Sequence, residues 1–270
     1  MKLAPLFLLT AALTAQSFDY DTHQPFDLSC EDLSHRPDAE LHGCGFTGPR
    51  GGKVNLVYIR PKNVRPPYAG VIFQHGGGQS MTHYLNEALI LARAGVVSVI
   101  PDAPSRRDPP PSDDDKLGPS EFQTEVVITE RRMLDWLLQQ PGVDPKRIAY
   151  VGHSYGGVAG SFLSAVEPRF TAFVLLGAVV PEKDPDRYLP HARAPMLVQC
   201  ASFDTDHNVR GCPEVHRLAG GPKRIVWYDD DHYFTSLEAL RDRLAWLQQY
   251  LRLKPLQPEI VQFLNRPPAR

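Results

Sequence analysis

Strand patterns alternate with helix patterns along most of the chain. Residues 54–59 alternate apolar and polar positions, as a half-exposed strand does. Short apolar, β-branched runs predict buried strands at 70–73, 96–100, 147–151, 172–180, 195–199 and 224–228. Apolar residues at helical spacing predict helices at 84–94, 121–140, 155–166 and 234–251, with a partial helix at 209–218. This alternation implies an α/β fold with a mainly parallel sheet and helices on both faces.

The first residues differ from this pattern. Lys2 precedes an apolar run at 3–13, and small residues follow it, which is typical of a secretory signal peptide. The run is shorter than the ~20 apolar residues that a membrane span needs. We therefore predict a signal peptide at 1–17, with a frayed or buried N-terminal helix as the alternative. The rest, 18–270, is predicted to be a single domain with an irregular N-terminal arm at 18–52 and a strand near 44–47.

Composition and charge narrow the class of protein. Hydrophobic residues make up 42% of the chain and charged residues 22%, as in soluble globular proteins with a sizeable core. The net charge is -2, and no basic stripe could follow a phosphate backbone, so nucleic acid is not an expected partner. No membrane span is expected after signal removal. The sequence gives no indication of the oligomeric state.

The four cysteines fall into two local pairs. In an exported protein this spacing favours the disulfides Cys30–Cys44 and Cys200–Cys212. Four cysteines allow three pairings, and four free thiols are the alternative. We therefore predict a secreted or periplasmic protein. No Cys-x-x-Cys motif is present, and no metal site is predicted.

The sequence Gly152-His153-Ser154-Tyr155-Gly156-Gly157 lies between a predicted strand and a predicted helix. In that setting a Gly-x-Ser-x-Gly motif forms a sharp turn that exposes the serine Oγ, and the helix N-terminus favours developing negative charge. We predict that Ser154 is a catalytic nucleophile. A glycine-rich turn without chemistry is the alternative, because the bare motif also occurs by chance.

A nucleophilic serine needs a general base, which follows it in the chain when the fold is of this kind. His232 comes after the predicted strand 224–228, at the edge of the sheet where ligands bind. We therefore predict that His232 is the base, with His207 as its rival.

A carboxylate must orient that base, and it should follow the strand 195–199. Asp204 and Asp206 both qualify, and we favour Asp204 because it lies nearer the strand end. The acidic run 229–231 predicts a solvated turn rather than the catalytic acid.

Backbone N–H donors must stabilise the tetrahedral intermediate. The N–H of Tyr155, just after the nucleophile, is one expected donor. The loop His75-Gly76-Gly77-Gly78 follows the strand 70–73 and should supply another, with Gly77 first and Gly78 next. A flexible glycine turn is the alternative.

With these motifs the sequence resembles the α/β-hydrolase superfamily, in particular dienelactone-hydrolase-like and prolyl-oligopeptidase-like serine esterases. The segments 143–157 and 70–78 carry the resemblance, which extends over about 54–251. It implies a mostly parallel eight-stranded sheet, the triad Ser154, Asp204 and His232, and no cofactor. A true dienelactone hydrolase has a cysteine nucleophile where this chain has Ser154.

The motifs and the resemblance together predict a serine hydrolase. It would cleave small or medium acyl or acetyl esters through an acyl-enzyme, with a small-molecule ester as its partner. Residues 182–194 are too few for a large lid, so a short cap and an open site are expected. A peptidase acting on short peptides and a catalytically silent hydrolase-fold binding protein are the alternatives.

Overall fold

The computed structural model describes residues 18–34, 36–106, 121–180, 185–204 and 208–255. The predicted signal peptide, Asp206 and His207 lie outside these ranges. The described residues form one nine-stranded sheet in the order β1-β2-β3-β5-β4-β6-β7-β8-β9. Its strands are β1 (Ser29–Ser34), β2 (Ala39–Thr47), β3 (Lys53–Pro61), β4 (Tyr68–Gln74), β5 (Val96–Pro101), β6 (Val143–His153), β7 (Ala172–Leu176), β8 (Met196–Ala201) and β9 (Lys223–Tyr228).

Strands β1, β2, β3 and β5 pair antiparallel in succession, and all pairs from β5 through β4 to β9 are parallel. The mostly parallel sheet is therefore confirmed. Because parallel strands end at the same edge, the loops after β4, β6, β8 and β9 meet there. All predicted chemistry lies in these four loops.

The arm that was predicted as mainly irregular contains two strands, and these raise the strand number above the implied eight. β2 includes the predicted strand near 44–47 but begins at Ala39. The side chains of β1 are almost all exposed, so this strand has no hydrophobic alternation to reveal it. Backbone pairing with β2 and the disulfide Cys30–Cys44 hold it at the sheet edge.

Within the described ranges, five longer helices cover both faces of the sheet: α1 (Leu85–Arg93), α2 (Glu121–Leu138), α3 (Tyr155–Val166), α4 (Asn208–Leu218) and α5 (Leu237–Leu251). The apolar residues of α1 and α5 pack into one core on one face. Those of α2, α3 and α4 pack into a second core on the other. The predicted helices on both faces are thus present, and α3 has the predicted limits.

The start of the arm and the segment between β7 and β8 pack into the second core. Phe18 is fully buried, and its ring contacts the rings of Phe162 and Tyr188, with centroids 5.5 and 5.7 Å apart. Tyr188 ends a single helical turn, Pro185–Tyr188, and its ring is also buried. This segment is anchored in the core by its aromatic ring, consistent with the expected short cap.

Both predicted disulfides, Cys30–Cys44 and Cys200–Cys212, are present. The second joins the end of β8 to α4 and so brackets Asp204. Within the described ranges, no helix has the length and hydropathy to cross a membrane.

Candidate active site

Ser154 occupies a strained turn between β6 and α3. Its backbone has φ 53° and ψ −112°, a conformation that costs free energy for any residue with a β-carbon. Its N–H donates to the carbonyl oxygen of Leu176 at the end of β7, and its own carbonyl accepts from Val158 N in the first turn of α3. The neighbouring strand and the helix therefore hold the serine in this conformation.

The glycines of the motif make the turn sterically possible. A β-carbon on Gly152 would lie 2.2 Å from the carbonyl oxygen of Gly156, and one on Gly156 would lie 2.2 Å from that of Gln74. Both distances are far below van der Waals contact. The strand–turn–helix context that the sequence predicted for Ser154 is thus the observed one.

Asp204 and His232 form a hydrogen-bonded pair beyond the ends of β8 and β9. His232 Nδ1 donates to Asp204 Oδ2 at 2.6 Å. The Asp204 side chain is only 4% exposed, whereas that of His232 is 29% exposed. A buried carboxylate thus fixes the imidazole through one nitrogen and leaves Nε2 as the other basic position.

The loops that carry these two residues are tied together. The N–H groups of Ser202 and Phe203 donate to the carbonyls of Tyr228 and Asp230, at 2.9 and 3.1 Å. These bonds continue the β8–β9 pairing past the ends of both strands. Asp204 and His232 are therefore supported by the same extended backbone ladder.

The acidic run 229–231 is not simply a solvated turn, because Asp230 is buried. Its carboxylate accepts from the backbone N–H groups of Asp231 and Ser236, at 3.0 and 2.8 Å, and so spans the His232 loop. Ser236 then caps α5 by accepting from Ala239 N. This turn delays the start of α5 to Leu237 instead of the predicted 234.

The glycine loop after β4 lies against the nucleophile turn. A β-carbon on Gly76 would lie 3.1 Å from the β-carbon of Ser154, and one on Gly77 would lie 2.6 Å from the ring of Tyr155. Glycine lets the two segments approach this closely. The two predicted donors, Gly77 and Tyr155, are therefore direct neighbours, and Gly76 is the loop residue beside Ser154.

His75 anchors this loop through the contacts of its ring. It is fully buried, its Nδ1 donates to the carbonyl oxygen of Gly76 at 2.7 Å, and its Nε2 lies 3.1 Å from Ala103 N and 3.2 Å from Asp102 Oδ1. The N–H of Gly76 donates to the side-chain oxygen of Gln79 at 2.8 Å.

His153 and Gln79 also lie in the site, and the sequence predicted a role for neither of them. His153 Nε2 lies 2.5 Å from the carbonyl oxygen of His232, and its Nδ1 lies 3.0 Å from the side-chain oxygen of Gln79. Burial, and then the nearby His232, lower the pKa of His153 to about 3, so its ring is neutral near pH 7. A variable position inside a motif gives no sequence signal for such a role.

Exposed aromatic rings flank each predicted triad residue. Tyr155, Phe203 and Tyr233 follow or precede the triad residues directly and are 38%, 65% and 56% exposed. Tyr155 also packs against Phe122, with ring centroids 4.9 Å apart. These rings provide exposed apolar surface beside the predicted triad residues.

Comparison with solved structures identifies similar folds. An acetyl xylan esterase from Paenibacillus sp. R4 has a TM-score of 0.72 at 17% identity, over 93% of this chain and 97% of that one. Acetyl xylan esterase 1 from Thermoanaerobacterium sp. JW/SL YS485 has a TM-score of 0.73 at 14% identity, over 90% and 93%. A cold-adapted esterase from an Arctic intertidal metagenomic library has a TM-score of 0.68 at 19% identity, over 86% and 100%.

Sequence comparison gives the family. No curated protein matches the chain in sequence. The family model described as the alpha/beta hydrolase family matches residues 71–268, most of the chain and every predicted site residue. Strand order, nucleophile turn and family match agree, and the chain belongs to the α/β-hydrolase family.

Proposed function

We propose that the protein is a serine hydrolase that cleaves carboxylic esters with small or medium acyl groups, acetyl esters among them. The observation that carries the proposal is the 2.6 Å hydrogen bond between Asp204 and His232, at the same sheet edge as the strained Ser154 turn. The solved structures of similar fold that are named as esterases support the ester as substrate.

In the proposed mechanism His232 Nε2 takes the proton of Ser154 Oγ as this oxygen attacks the ester carbonyl carbon. The carbonyl oxygen becomes an oxyanion, stabilised by the backbone N–H groups of Tyr155 and Gly77. Asp204 stabilises the imidazolium that forms. Collapse of the intermediate breaks the bond to the alcohol oxygen, which takes the proton from His232 and leaves an acyl-enzyme on Ser154.

Water then attacks the acyl-enzyme while His232 removes one of its protons. The second tetrahedral intermediate releases the carboxylic acid, and the proton on His232 returns to Ser154 Oγ. The sequence of steps needs no cofactor. The exposed rings of Phe203 and Tyr233 adjoin Asp204 and His232 and offer apolar surface to a bound ester.

Labelling with a fluorophosphonate tests the nucleophile. The wild type should be labelled covalently, and Ser154→Ala should not. Ser202→Ala is the matched control, because Ser202 is exposed and lies two residues from Asp204, and it should label like the wild type. Absence of labelling in the wild type would favour the silent binding protein instead.

A substrate panel tests the ester class. p-Nitrophenyl esters of increasing acyl length, run beside short peptide amides, should give turnover that falls with acyl length and little amide cleavage. Faster cleavage of the amides would favour a peptidase.

We also propose that the protein acts outside the cytoplasm. All four cysteines are in disulfides, which are typical of oxidising compartments. The signal pattern at 1–17 supports the same location. Fractionation of producing cells, with N-terminal sequencing of the exported product, would test both export and cleavage.

A further inference from the structure

His153 connects the nucleophile turn to the loop of the proposed base. It is the last residue of β6, is 1% exposed and directly precedes Ser154. Its Nε2 lies 2.5 Å from the backbone carbonyl oxygen of His232. The two imidazole rings are also in contact, with centroids 4.7 Å apart. A single side chain therefore joins the strand of the nucleophile to the backbone of the base.

The protonation state of the His153 ring determines which of its nitrogens donates a hydrogen bond and which accepts one. Burial keeps His153 neutral, so its ring carries one N–H. A carbonyl oxygen can only accept, so this N–H lies on Nε2 and donates to the His232 carbonyl. Nδ1 then presents a lone pair to the Gln79 amide. The nitrogen of that amide is buried and has no partner within the described residues. A half-turn of the amide would direct it to Nδ1 in exchange for the bond to Gly76.

We propose that His153 is a positioning residue that holds His232 at the right distance and orientation relative to Ser154. The inference rests on the proposed triad. Asp204 fixes the ring of His232 and Asp230 spans its loop, but both act from the β8–β9 side of the site. The bond from His153 ties this loop to β6, the strand that carries the nucleophile. Misplacement of a catalytic group by about 1 Å can cost 10²-fold in rate.

Three variants separate this role from simple packing. The terminal nitrogen of glutamine reaches about where His Nε2 lies, so His153→Gln keeps the donor to His232. Asparagine reaches only about as far as Nδ1, so His153→Asn loses that donor. His153→Phe loses it too but keeps an aromatic ring beside His83 and Phe234, whose ring centroids lie 5.8 and 6.0 Å from that of His153.

Steady-state kinetics with a p-nitrophenyl ester is the first measurement. We expect kcat to fall about 10- to 100-fold in His153→Asn and His153→Phe, with KM changed by less than about 3-fold, and His153→Gln to stay within about 3-fold of the wild type. Equal losses of kcat in the Gln and Phe variants would overturn the proposal. So would losses that appear in KM or that follow Tm.

A proton NMR signal gives a readout that does not depend on turnover. The proton between His232 Nδ1 and Asp204 should resonate far downfield, in the wild type and His153→Gln alike, and should shift or broaden in His153→Asn. An unchanged signal in all variants would overturn the positioning role. A wild type inert to esters and to the fluorophosphonate would instead overturn the proposed function, and the NMR comparison would still decide the role of His153.

Discussion

Asp204 Oδ2 accepts a 2.6 Å hydrogen bond from His232 Nδ1, although the two residues lie on loops of different strands. The carboxylate is nearly buried, so a change that removes its charge cannot be compensated by water. We expect Asp204→Asn to lower kcat by roughly 10³- to 10⁴-fold with little change in KM, because the amide no longer fixes the tautomer or stabilises the imidazolium. Initial rates with a p-nitrophenyl ester measure this.

Asp206→Asn is the control for this prediction, because Asp206 is the other residue that the sequence offers as the triad acid. It should keep near wild-type activity. If Asp206→Asn instead lost as much activity as Asp204→Asn, the assignment of the acid would be wrong.

Gly156 and Gly78 form a matched pair that tests whether the nucleophile turn needs a glycine for steric reasons. A β-carbon on Gly156 would overlap the carbonyl oxygen of Gln74, whereas one on Gly78 would meet no atom within 4 Å. We expect Gly156→Ala to lower the free energy of unfolding by about 3 kcal/mol or more, because backbone must move. Gly78→Ala should leave it nearly unchanged. Denaturant unfolding of both variants measures the difference, and similar losses would contradict this reading of the turn.

The sequence predicted the parallel part of the fold well, because apolar strand runs and helical spacing report burial directly. The strand runs at 70–73 and 96–100 lie within the observed β4 and β5. The β1 edge of the sheet was harder to predict from the sequence. β1 has exposed side chains, and its position follows from backbone pairing and a disulfide, neither of which leaves a periodic pattern.

The site was predictable where chemistry imposes a motif or a position after a strand, as for the Ser154 turn and the loops of Asp204 and His232. The supporting residues were not. Asp230 was read as solvated, because an acidic run resembles a surface turn until its backbone partners are known. His153 and Gln79 contribute single hydrogen bonds that only the folded chain brings together.

Removing each disulfide in turn distinguishes an effect on overall stability from an effect on the geometry of the site. They join cysteines 14 and 12 residues apart, so chain entropy predicts a similar contribution, about 3 kcal/mol each. Only Cys200–Cys212 brackets Asp204. Replacing either pair by alanines should lower Tm, but only Cys200→Ala/Cys212→Ala should also lower kcat, by several-fold. Equal kcat in both double variants, measured well below their Tm values, would exclude a role for the second disulfide in placing the acid.

Arg243 and Glu87 form a buried ion pair that joins α5 to α1. Arg243 Nε and Nη2 both donate to the carboxylate at 3.0 Å. Arg243→Met should destabilise the fold by about 3–5 kcal/mol, because it leaves Glu87 charged and buried. Adding Glu87→Met should recover part of this loss.

The exposed pair of Arg217 and Glu214 is the control for that ion pair. Water already solvates both of its side chains, so Arg217→Met should leave the unfolding free energy unchanged within error. Thermal and urea unfolding compare the variants. A double Arg243→Met/Glu87→Met variant that is no more stable than Arg243→Met alone would contradict the argument from the unpaired carboxylate.

The buried His153 should also make stability depend on pH. Its pKa falls from the usual 6.5 to about 3 in the folded protein, so below about pH 6.5 the unfolded chain binds a proton that the folded chain does not. The free energy of unfolding therefore decreases as pH falls from about 6.5 towards 3, by up to about 1.4 kcal/mol per pH unit. Above about pH 6.5 the titration of His153 leaves it unchanged. His153→Gln removes this titration. The difference in unfolding free energy between the wild type and His153→Gln, measured by urea unfolding between about pH 6 and 4.5, should shift in favour of the variant as pH falls. A constant difference across that range would mean that His153 is protonated in the folded protein as readily as in the unfolded chain.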